Sequence, residues 1–96
     1  MKKRITLETV LKRKSNQMFS DIDGEVVMLH IEKGEYYSLD KIGSFIWNVL
    51  DNHHTFRHLV DILLEEYEVA EETCINDTKP LLEDFLDKGL IEISNG

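Results

Sequence analysis

The sequence predicts an α+β domain, a three-stranded antiparallel sheet followed by three helices, and three observations carry that prediction. The stretch from Glu25 to Leu39 is two β-rich runs joined by a Lys33-Gly34 turn. After it, apolar residues recur at three- and four-residue spacing in three separate blocks. Each of the first two blocks is preceded by a residue whose side chain suits a helix start, Asp40 and Thr55.

Taken in order, residues 5–13 are β-branched with partial alternation and read as a first strand. Ser15 to Gly24 is polar and reads as a loop, with Asp21, Asp23 and Gly24 as turn formers and Met18, Phe19 and Ile22 tucked against the core. In the hairpin, side chains alternate with period two, so Val27, Leu29 and Ile31 share one face of the first run. Tyr37 and Leu39 share one face of the second, Tyr36 points the other way, and His30 is placed on the outer face. A meander beginning upstream leaves Glu35 to Leu39 unpaired on its far side. That strand carries neither proline nor lysine to blunt its edge, so its main chain is open to an added strand.

Ile42, Phe45, Ile46, Val49 and Leu50, with Trp47, form the first helical stripe, which ends at Asp51-Asn52-His53-His54. Phe56, Leu59, Val60, Leu63 and Tyr67 form the second. Glu71 to Lys88 is the third helix, with Cys74, Thr78, Leu81, Leu82 and Phe85 on one face. Pro80 falls inside it and cannot donate to the Asn76 carbonyl, which predicts either a kink or a regular helix beginning near Pro80. Gly89 suits the left-handed cap, and Leu90 to Ile93 is short and extended. Strands followed by three helices, the last beside the edge strand, give a winged helix-turn-helix-like arrangement with a groove between edge and helix.

Composition narrows the function. Ninety-six residues make one domain, 1–96, with 42% apolar and 31% charged residues. No apolar run approaches the ~20 residues that cross a bilayer, nothing resembles a signal peptide, and the single cysteine fits a reducing compartment; a cytoplasmic protein without a membrane partner is expected. Residues 1–14 hold six basic groups and one acidic, and residues 15–96 hold five and eighteen. An acidic body repels phosphates, which weighs against a nucleic-acid partner. The competing class, an acidic winged-helix transcriptional regulator, wants Arg, Lys, Asn or Gln on the exposed face of its reading helix. Here that face carries Glu71, Glu72, Glu83, Asp84 and Asp87 against Lys79 and Lys88.

No catalytic, cofactor or metal site assembles from the residues. Cys74 has no neighbouring base and orienting group and reads as a buried helix residue. His54 and His58 are separated by a helix start, and His53 adds no converging ligand. Trp47, Tyr37 and Tyr67 sit at core spacing, and the run Glu65-Glu66-Glu68-Glu71-Glu72 is a solvated face.

Gly34-Glu35-Tyr36-Tyr37-Ser38-Leu39-Asp40, then Ile42-Gly43, Ile46-Trp47, Leu50, Thr55, Leu59-Val60, Leu63, Glu66-Tyr67-Glu68-Val69, Asp77 and Gly89-Leu90-Ile91, resembles the PqqD-like family across residues 25–93. These proteins are recognition elements, or peptide chaperones, of ribosomally made and post-translationally modified peptides. The resemblance implies a three-stranded sheet with three helices, no catalysis and no cofactor. It implies that the leader of a precursor peptide adds as an antiparallel strand to Glu35, Tyr36, Tyr37, Ser38 and Leu39, facing Cys74, Asp77, Thr78, Leu81 and Phe85. A modifying enzyme is the second partner; chains of this size resemble both the partner of the radical enzyme in pyrroloquinoline quinone assembly and the leader-binding half of lasso-peptide proteases, and the Tyr36-Tyr37 pair favours the lasso-peptide leader protease. A monomer is expected, with an edge-strand dimer as the alternative. The chain departs from the family in having Asp40 for the usual Asn, Asn52-His53 for the usual Gly-Pro, and Pro80 in the third helix.

Overall fold

The structure, a computed structural model, describes residues 5–15 and 17–94. It is α+β, with three helices and antiparallel sheets as expected, but the strands divide into two three-stranded sheets rather than one. In the first, β1 (Val10–Arg13) lies between β5 (His54–Thr55) and β6 (Ile91–Ser94). In the second, β3 (Glu25–His30) lies between β2 (Gln17–Ile22) and β4 (Glu35–Ser38). The first predicted strand therefore does not join the hairpin; β2, read from sequence as a loop, does. Its connection to β3 is the tight turn Asp23-Gly24, both at positive φ, the geometry that matches strand twist in a two-residue hairpin. The Gly24 N–H donates to Asp21 at 2.9 Å.

The inner face of the hairpin is set by Val26, Met28 and His30, all buried, while Val27 and Ile31 are exposed. The expected outer position of His30 is thus overturned: it is 3% exposed. Residues of both parities in β3 are apolar, so alternation alone carried no information about which face turns inward. His30 Nδ1 accepts from the Lys33 N–H at 3.3 Å, and its ring packs against the backbone at Gly89.

The helices follow the predicted caps. Asp40 accepts from the Gly43 N–H at 2.8 Å and starts α1 (Lys41–Val49). Thr55 accepts from the His58 N–H at 3.0 Å and starts α2 (Phe56–Glu66). The third helix, α3 (Glu71–Asp87), is continuous across Pro80, which excludes a helix beginning there. Burial of Cys74, Thr78, Leu82 and Phe85 holds it against the core, so packing outweighs the one rung that proline removes. Trp47, Phe56, Phe85, Leu11, Leu59 and Leu90 are among the fully buried side chains that join both sheets to the helices.

Gly89 ends the last helix at φ 74°, and a Cβ there would lie 3.1 Å from His30 Nε2. Gly34 has a similar φ, 64°, with nothing within 4 Å. Gly34→Ala should cost about 1–2 kcal/mol from left-handed strain alone, and Gly89→Ala more, because His30 must also move. Urea unfolding midpoints at unchanged slope measure the difference; equal losses would mean that His30 yields freely.

Candidate functional site

Among the described residues, the β4 strand is bonded on one side only, to β3. At its end, the Leu39 N–H donates to the Val26 carbonyl at 2.8 Å. Next to this bond the buried Ser44 hydroxyl accepts from the Val26 N–H at 2.7 Å and donates to the Leu39 carbonyl at 3.3 Å. Ser44 thereby closes the ladder where α1 begins. Leu39 is two residues from Tyr37, and Tyr37 is paired with Met28. Antiparallel bonding alternates along a strand, so the main-chain groups of Leu39 and Tyr37 turn toward β3. Those of Tyr36 and Ser38 turn to the open side.

Side chains alternate in the other plane. Tyr36 is 76% exposed, opposite to Tyr37 as expected. Tyr37 is half-buried, with the Lys88 ammonium 5.2 Å from its ring centroid, which brings the C-terminal end of α3 alongside the strand. Its hydroxyl donates to Glu35 at 2.7 Å. That hydrogen bond is the main cause holding the Tyr37 phenol above its ordinary 10.0, followed by desolvation and by the negative charges of Glu35 and Asp84. Lys33 donates to the Lys88 carbonyl at 3.2 Å and ties the hairpin turn to the same helix end.

Beyond the other end of β4 lies an open pocket of about 370 Å³, where the starts of α1 and α3 meet the end of α2. Cys74, Asp77, Thr78 and Leu81 line it, together with Asp40, Ile42, Leu63, Tyr67 and Val69. Phe85 does not: it is 1% exposed and fills the core beside Gly43. Reasoning from sequence missed the five residues that come from outside α3. Two of them, Ile42 and Val69, are apolar yet 49% and 38% exposed, and both stand at a helix boundary, where periodicity is weakest as a guide to facing.

In the wall of that pocket Cys74 is buried, its sulfur 3.9 Å from the Thr78 hydroxyl. The histidines weighed from sequence as metal ligands lie elsewhere. His54 and His58 share a 2.9 Å contact between Nδ1 atoms, so each occupies the nitrogen of the other. Burial, then His58, lowers the His54 pKa against a backbone hydrogen bond with Val49 that raises it. Among the described residues, no three His, Cys, Asp or Glu side chains converge as metal ligands, and no helix is long and apolar enough to cross a membrane.

The family described as coenzyme PQQ synthesis protein D (PqqD) matches residues 25–91. One similar solved structure is TbiB1 in complex with the TbiA(beta) leader peptide. It is 34% identical with a TM-score of 0.79, the alignment covering 84% of this chain and 94% of that one. Another is lasso peptide synthetase B1 complexed with the leader peptide, at 22% identity and a TM-score of 0.74, covering 85% of this chain and 96% of that one. No curated protein matches the chain.

The Tyr37 phenol should titrate above 10.0, and Glu35→Gln should move it back toward that value, because the phenolate then no longer faces a carboxylate. Absorbance titration of the two proteins in a Tyr36→Phe, Tyr67→Phe background reads Tyr37 alone. An unchanged titration in the Glu35→Gln protein would show that the hydrogen bond does not persist in solution.

Proposed function

The chain belongs to the PqqD family, and we propose that it is a non-catalytic, cytoplasmic adaptor for the leader region of a ribosomally made precursor peptide. The leader adds as an antiparallel strand to β4 and is delivered to a maturation enzyme, a leader protease of lasso-peptide biosynthesis. The observation that carries this reading is the open edge at Tyr36 and Ser38 beside the α3 pocket. The leader complexes of the two similar structures support it.

In this reading the N–H and carbonyl of Tyr36 and Ser38 form the new ladder, while Glu35, Tyr37 and Leu39 keep the receiving strand in place. Main-chain bonds of this kind give affinity with little sequence preference, and side-chain pockets give specificity. Cys74, Asp77, Thr78 and Leu81 form the wall that accepts a leader side chain, and Phe85 supports it from the core. The acidic exposed face of α3 suits a peptide better than nucleic acid. A bound leader also covers the edge through which two copies would otherwise pair, so the loaded protein is a monomer with respect to this strand.

The test is titration of the chain with the labelled leader of a precursor encoded beside it, followed through amide shifts. Saturable binding with the largest shifts at Glu35 to Leu39 and along α3 is expected. Ser38→Pro removes an outward N–H without touching the β3 ladder, and proline is tolerated at a sheet edge. It should weaken binding about tenfold, the loss of one main-chain hydrogen bond with a desolvated partner, whereas Ser38→Ala should bind as the parent does. A folded Ser38→Pro protein with undiminished affinity would rule out this register.

A further inference from the structure

A second site lies on the far side of the β2-β3-β4 sheet from β4, where β1, β2 and α1 meet. It begins with an arginine at an inward strand position. Arg13 shares the face of the buried Leu11, and its side chain is only 14% exposed. Its guanidinium carbon lies 4.9 Å from the ring centroids of both Phe19 and Trp47. The two rings meet edge-on with centroids 5.6 Å apart, so the three groups close a triangle. Asp51 accepts from one guanidinium nitrogen, Nη2.

That leaves two donors. Among the described residues, Arg13 Nη1 and Trp47 Nε1 are the buried side-chain polar atoms without a hydrogen-bond partner. Both residues line the same pocket of about 340 Å³, together with Lys12, Lys14, Ser15, Gln17, Phe19 and Asp51; Gln17 is turned to the Gly89 and Leu90 carbonyls through its amide nitrogen. Trp47 is 1% exposed, and an indole N–H buried without an acceptor is destabilising. Arginine, lysine and indole only donate. Neither Ser15, Gln17 nor Asp51 accepts from Arg13 Nη1 or Trp47 Nε1, so an added acceptor completes them, and the three cations against one carboxylate select a negative one.

We propose that this pocket is a subsite for the carboxylate of an acidic peptide segment carried by a partner protein. The planar guanidinium, pinned by Asp51 and the two rings, presents its remaining nitrogen in the geometry that suits a carboxylate. Lys12 is partly engaged by Glu92 at 3.9 Å, which leaves Lys14 as the freer steering charge of the two. Phe19, 45% exposed on the edge strand β2, covers the donors and is the side chain that moves as the carboxylate enters. With the rest of the chain strongly acidic, an acidic segment is guided to this end of the molecule. The site is separate from β4, so leader and acidic segment bind together.

Trp47 is the single tryptophan of the chain, so one indole N–H resonance reports the site. Titration with the capped peptide Ala-Glu-Glu-Ala should move it downfield to saturation, and the capped Ala-Gln-Gln-Ala peptide should not. Lys14→Gln should weaken the effect about two- to fivefold, as the loss of one exposed charge contact does, with unfolding and leader binding unchanged. Arg13→Gln should abolish it in a protein that still folds and binds leader. No saturable shift with the glutamate peptide, an equal shift with the glutamine peptide, or no change in Lys14→Gln would overturn the proposal. So would acetate or phosphate acting as well as the peptide at equal concentration, which would mark an adventitious ion only.

Discussion

The bond from the Leu39 amide to the Val26 carbonyl sets the parity of the whole edge. Once it forms, alternation decides which main-chain groups of β4 face β3 and which face outward, and which side chains lie over the core. Shifted by one residue, the strand would turn Tyr36 toward α3 and the amides of Tyr37 and Leu39 to the open side. Ser44 guards this choice. Its hydroxyl occupies the position of the next ladder bond, so α1 and the edge strand are locked in register by one buried oxygen. Asp40, capping α1 through Gly43, fixes where the helix begins relative to that lock.

The other end of the edge is held by a different device. The hairpin turn is fastened to α3 through Lys33, through Lys88 beside the Tyr37 ring, and through the close approach of His30 to Gly89. These contacts make the spacing between strand and helix a property of the fold. In the proposed function, such a preorganised groove spares the leader the ordering of its receptor, leaving only the ordering of the peptide itself.

Much of this was legible in the residues. The two caps, the three helical stripes, the left-handed glycine and the exposed Tyr36 follow from local rules that act within a few residues. What was not legible was non-local. Residues 17–22 carry Met18 and Ile22 on the outer face and Gln17, Phe19 and Asp21 on the inner one, so apolar side chains fall on both faces and the pattern did not announce β2. Its existence is decided by pairing with β3. The burial of His30 and the separation of β1 into its own sheet likewise depend on Gly89 and Ile91, about sixty to eighty residues away along the chain. At the candidate site, the edge and four members of α3 could be named from sequence. The contributions of Ile42, Leu63 and Val69 come from how three helix ends meet, which no single helical period encodes.

Pro80 bears on motion as well as on shape. It deprives the Asn76 carbonyl of its partner four residues on, so the turn of α3 that carries Cys74, Asp77 and Thr78 is joined to the rest of the helix by one rung fewer. Side-chain burial, which holds that turn in place, weakens toward the exposed flank at Asp77. One rung fewer lowers the free energy of opening that turn relative to the same helix without proline, while Leu82 and Phe85 hold the other half to the core. The rung that proline removes thus falls at the pocket end of α3 and not in the half that Leu82 and Phe85 anchor.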